Sequence, residues 1–206
     1  MARASRVHGI HPARSLRENA AKIVEVRLGE LLSWRSALHD PELVAELHNM
    51  RIAAKRLRYA IETFQVCFPD IKAVAKDLSD IQEDLGDIHD LDVLTDVLRA
   101  RLRALDEPME GRAVDIMAMD LPQVQKSARL RQLVSSEARD QRRLGLLGLL
   151  GDKVNERRAR FDMFRGRWDA QRLAHLEGMV MRAIGPAPSA DGVIEHASLA
   201  PSANGH

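Results

Sequence analysis

Apolar residues recur every three or four positions along most of the chain, and the stretch from Glu46 to Glu62 sets the pattern. It contains no Gly and no Pro and is rich in good helix formers, so it predicts a helix. At ~100° per residue, Met50, Ala53, Leu57, Ala60, Ile61 and Phe64 gather in a sector of about 100°, wide enough to be a core face. The opposite side carries His48, Arg51, Lys55 and Arg58 within roughly 80°, one helical turn apart. Arg56 lies to one side of that row. Between Glu46 and Glu62 there is no acid, so only Glu62 is placed to soften the row through an i,i+4 pair.

The same periodicity predicts further helices. Ser15 and Glu18 have capping-box spacing and open a first helix, whose apolar positions run from Leu16 to about Leu38. His39-Asp40-Pro41 is the turn into the central helix, with Asp40 as cap and Pro41 at the first helical position, and that helix is expected over 42–67. A third helix is expected from Asp70 to Leu85, stopped by Gly86, with Asp87 to Asp90 as a tight connection. The fourth runs from Leu91 to Leu105. Pro108 to Leu121 reads as a loop with at most one helical turn. A fifth helix follows Asp120 and Gln123 to about Leu150, weakened by Gly145, Gly148 and Gly151. Asp152 is the expected cap of a sixth, which places Val154, Phe161, Phe164, Trp168 and Met179 on one side. No strand or hairpin pattern appears, so the expected fold is all-α, a bundle of about six helices. Its expected organisation is a flexible leader over 1–13, a helical domain over 14–183, and a Pro-, Ala-, Ser- and Gly-rich disordered tail over 184–206.

Composition changes this picture in two ways. Charged residues make up 30% of the 206, yet the net charge is only +1, so any anion site must come from local segregation of charge rather than bulk excess. Aromatics are only 3%, which leaves few rings for stacking nucleic-acid bases. The single cysteine, Cys67, excludes an internal disulfide and reads as a small core residue. No apolar run approaches ~20 residues, and the N-terminal residues lack a signal-type apolar core, so a cytoplasmic protein without a membrane partner is expected.

Enzyme motifs are mostly missing. Gly145, Gly148 and Gly151 sit at an expected helix end with no Lys-Ser or Lys-Thr after them, unlike a phosphate loop. Asp87, His89, Asp90 and Asp92 match no metal-ligand spacing, and no cofactor is expected. The cation row has a clearer chemical use. Phosphate is held by donors that stay charged and reach several oxygens: arginine as a planar fork, lysine as a mobile point charge. An extended polyanion needs them at regular intervals, which one helical turn of ~5.4 Å supplies. His48 adds a donor that titrates near neutrality. Arg14, Arg17, Arg27, Arg158 and Arg165 are cations elsewhere in the chain that extend the same charge logic, with Arg27 close to an apolar stripe.

Two segments carry a resemblance: L-H-N-M-R-I-A-A-K-R-L-R-Y-A-I-E-T-F, and L-S-D-I-Q-E-D-L-G-D-I-H-D-L-D-V-L. With the opening I-H-P-A-R-S-L-R-E-N-A, they resemble the CHAD family over about Gly9 to Leu105, and R-x-R-F-x-x-F-x-x-x-W from Arg158 to Trp168 is a weaker echo. The resemblance implies a helical fold whose basic groove binds inorganic polyphosphate without turning it over, and a place at polyphosphate granules. It maps onto His48, Arg51, Lys55, Arg56 and Arg58. Full members commonly carry the histidine-and-cation helix twice, whereas the second half of this chain has no His-x-x-Arg-x-x-x-Lys copy. That leaves a shallower groove, or a homodimer that supplies the second wall. Two other functions stay open beside polyphosphate binding: a helical nucleic-acid-binding or adaptor protein using the same face for other polyanions, and an enzyme acting on a phosphorylated substrate.

Overall fold

A computed structural model describes residues 3–138 and 141–185, apart from the side chains at 70, 106–108 and 137–138. The expected disordered tail therefore lies almost wholly outside the described residues. Among them there are six α-helices and no strand, the all-α bundle expected from the periodicity. The helices are α1 (Leu16–Leu32), α2 (Val44–Thr63), α3 (Lys72–Ala118), α4 (Gln123–Ala138), α5 (Gln141–Arg167) and α6 (Ala170–Ile184).

α1 opens with the expected capping box: the Ser15 hydroxyl accepts from the Glu18 amide, and the Glu18 carboxylate accepts from the Ser15 amide. The helix stops at Leu32, and a 3-10 turn over Arg35–His39 replaces its expected last turns. α2 begins at Val44 rather than at position 42. The Asp40 side chain accepts from the Glu42 amide 2.8 Å away, so it closes a local turn instead of capping the helix. Short 3-10 segments over Gln65–Cys67 and Pro69–Ile71 lead into α3.

α3 departs most from the sequence expectation. It runs unbroken for 47 residues through Gly86, through the supposed connection at Asp87 to Asp90, and through most of the supposed loop after Pro108. A glycine inside a helix costs roughly 0.5–1 kcal/mol, and the apolar stripe outweighs it. Leu78, Ile81, Leu85, Ile88, Leu91 and Leu98 are all buried and keep helical spacing across Gly86. Each fully buried side chain of this kind contributes about 1.5–3 kcal/mol. α5 likewise runs through Gly145, Gly148, Gly151 and Asp152, so the expected boundary at Asp152 is absent. The break falls instead at Asp169, whose carboxylate accepts from the Arg172 amide at 2.7 Å and caps α6. Trp168 and Met179 therefore stand on different sides of a helix boundary.

α3 is the spine. α2 packs on one side of it and α5 on another, α1 packs on α2, and α6 closes against α1 and the start of α3. The core joins Leu28 and Leu31 of α1 to Met50, Leu57 and Ile61 of α2. It continues through Leu78, Ile81 and Leu85 of α3 to Phe161, Phe164, Trp168 and Leu176. Among the described residues, burial ends at Leu98 on α3 and resumes at Phe161 on α5. The residues before α1 lie back along it: the Ser5 amide donates to Glu30, Arg27 donates to the Ser5 carbonyl at 3.2 Å, and Arg14 donates to the Gly9 carbonyl at 3.0 Å. Gly9 takes φ 82°, in the left-handed region that favours glycine.

Candidate functional site: the seam between α2 and α3

The apolar face of α2 is buried as its pattern requires: Leu47, Met50, Ala53, Ala54, Leu57 and Ile61 are all covered. That orientation fixes where the polar row goes. His48, Arg51 and Arg58 are half-buried at the edge of the α2–α3 contact, while Lys55 and Tyr59 are exposed. The helices run antiparallel. His48 meets His89 of α3 with ring centres 4.6 Å apart, and a turn further along α2 the Arg51 guanidinium lies against Gly86. A methyl group at position 86 would sit 3.6 Å from Arg51 Nε, an ordinary van der Waals distance, so the guanidinium packs closely on this turn of α3.

The polar atoms of this seam are incompletely paired. Of the five buried side-chain nitrogen and oxygen atoms without a hydrogen-bond partner among the described residues, four belong to His48 (Nδ1), Arg51 (Nε), Arg58 (Nε) and Gln82 (Oε1). Buried polar groups are normally satisfied, and leaving one bare costs about 1–3 kcal/mol. Arg58 has one loose ion pair, with Glu62 at 3.7 Å. Lys55 and Arg58 both approach the Tyr59 ring, at 5.5 and 5.2 Å from its centre. Arg51 and Lys55 have no ion pair among the described residues. His48 is held below the ordinary histidine range, first by burial and then by the neighbouring His89 and Arg51 charges.

The remaining cations singled out from the sequence have other settings. Arg56 faces α1, lining a cleft with Trp34 and Glu30. Arg17 donates to the Cys67, Ala183 and Gly185 carbonyls and stacks over Phe68, so it ties the end of α6 to the entry of α3. Arg27 pairs with Glu30 at 2.6 Å. Arg14 is bound to the Gly9 carbonyl, Arg158 lies 3.6 Å from Asp162, and Arg165 is exposed. The neighbouring arginines of α5 and α6 meet acids of α3. Arg157 pairs with Asp92, Arg160 with Asp87 at 3.0 Å, Arg167 with Asp84 at 2.9 Å and Arg172 with Asp77 at 3.1 Å. Asp77, Asp84, Asp87 and Asp92 thus turn to the α5 and α6 side of α3, and none of these four pairs with the α2 row.

A family model of the CHAD domain matches residues 2–99 and again residues 25–180. The chain belongs to the CHAD family. Both matches include all of α2 and the facing part of α3, so the CHAD assignment covers the whole seam. The family is associated with polyphosphate binding and is generally a binding rather than a catalytic domain. No curated protein and no solved structure matches the chain. Among the described residues, no helix is long and apolar enough to cross a membrane, and no group of three or more His, Cys, Asp or Glu is placed to hold a metal ion.

The sequence predicts the α2 row but places His89 in a tight connection between two helices. In the structure His89 faces the row, because α3 continues through position 89. Asp87 falls in the same expected connection, whereas the continuous α3 carries it to Arg160 of α5. The signal that could have placed them is the stripe Leu78, Ile81, Leu85, Ile88, Leu91, which does not pause at Gly86.

Proposed function

We propose that this CHAD protein binds inorganic polyphosphate along the α2–α3 seam and does not hydrolyse it. One observation carries the proposal: among the described residues, His48, Arg51 and Arg58 hold buried nitrogens without partners, in a row whose one carboxylate contact is Glu62. An anion laid along the row would satisfy donors that the fold leaves bare, and would relieve the repulsion of cations one turn apart. His48, Arg51, Lys55 and Arg58 are the proposed ligands, with His89 beside them. Arg56 and Arg14 are candidates at the margin, and so are Arg158 and Arg165. Arg17 and Arg27 support the helices that carry the row.

The test is retention of long-chain polyphosphate at moderate salt. Arg51→Ala combined with Lys55→Ala should weaken it at least about tenfold, since each lost charge-assisted hydrogen bond is worth roughly 1.5–3 kcal/mol. Undiminished retention removes α2 from the site. Competition with RNA separates polyphosphate from nucleic acid as the preferred polyanion, and phosphate release measured with magnesium tests for turnover. A cytoplasmic location at polyphosphate granules belongs to the same proposal. Mass measurement in solution decides whether one chain or a homodimer forms the groove.

A further inference from the structure

In an antiparallel helix pair, facing positions advance in opposite directions. His48 faces His89 and Arg51 faces Gly86, three residues on in each helix and in opposite senses. Continuing the register, four residues along α2 to Lys55 correspond to Gln82 on α3, and seven to Arg58 correspond to Ser79. The α3 stripe that faces the cation row is therefore Ser79, Gln82, Gly86 and His89. This is the uncharged lane of an acidic helix: seven acids stand between Asp77 and Asp92, and none occupies those four positions. Gln82 is half-buried there, with Oε1 buried and unpartnered.

We propose that Gln82 is a specificity-determining residue of the anion site: set opposite Lys55, its neutral amide leaves the cation row free and offers N–H donors to a bound phosphate chain. The inference rests on the polyphosphate reading above. A primary amide presents two donors beside its acceptor, so its nitrogen can donate to phosphate oxygen where a carboxylate cannot. A glutamate of the same volume would present oxygen only. It would stand opposite Lys55 at the rim of the seam and repel the anion, so the chain would supply its own counter-ion.

Gln82→Glu should lower polyphosphate affinity by about tenfold or more at low salt. It should also change the role of Lys55: Lys55→Gln costs affinity in the wild type and little further in the Gln82→Glu background, a non-additivity that a packing role would not produce. Gln82→Met keeps the length and tests the amide without adding charge. It should weaken binding severalfold while Lys55→Gln still costs affinity in its background. Wild-type affinity in either variant, with the wild-type melting temperature, overturns the role of Gln82. If the wild type itself fails to retain polyphosphate, the functional reading falls and this inference with it. If the wild type binds and the Arg51/Lys55 double variant is weakened while both Gln82 variants bind normally, only the role of Gln82 fails.

Discussion

The imidazoles of His48 and His89 stand 4.6 Å apart, one from each wall of the seam, and no carboxylate pairs with either among the described residues. Burial first, and then the neighbouring His89 and Arg51, disfavour the charged form of His48. His48 therefore resists protonation, and a bound anion would favour its charged form.

This arrangement makes stability and binding depend on pH in opposite senses. His48 is held below its ordinary value by burial, then by His89 and Arg51. As the pH falls below about 6.5, the unfolded chain takes up this proton before the folded one does, so stability present above that pH declines below it. Bound polyphosphate favours the charged imidazole, so affinity should rise over the same interval. Melting temperature measured from pH 7.5 to 5, with and without polyphosphate, should show the two curves diverging as the pH drops. Parallel curves, or a His48→Gln variant with unchanged pH dependence, would remove His48 from the site.

Gly86→Ala should stabilise the free protein by about 0.5–1 kcal/mol, because alanine is the better helix residue. The added methyl would meet Arg51 Nε at 3.6 Å, an ordinary contact rather than a clash. Denaturant unfolding measures the gain. A loss of stability would mean that the guanidinium cannot yield the space.

Arg157→Ala should destabilise the protein by roughly 3 kcal/mol, the usual cost of breaking a buried ion pair from one side. Its guanidinium bonds Asp92 and, at 2.8 Å, the Pro41 carbonyl, and both members of the ion pair are nearly covered, at 11% and 13% exposure. Polyphosphate affinity of the folded variant should stay within about twofold, because Arg157 serves the α3–α5 contact and the entry to α2 rather than the seam. Equilibrium unfolding followed by a binding titration tests both halves of the expectation.

The helical class, the Ser15–Glu18 cap and the two faces of α2 were legible in the amino-acid sequence, because each depends on spacings within a few residues. The cation row is of this kind: once Met50, Leu57 and Ile61 turn inward, helical geometry carries His48, Arg51, Lys55 and Arg58 to the other side. Tertiary structure decided what no local rule could. Gly86 and Asp152 resemble helix ends by composition, yet the helices run through them. At Gly86 the long-range packing of α3 between α2 and α5 outweighs the local cost. Only that continuous α3 sets His89 against His48 and sends Asp77, Asp84, Asp87 and Asp92 to the arginines of α5 and α6. Charge type is written in the chain, but which charges meet depends on helices distant in sequence, and that is fixed only when the core closes.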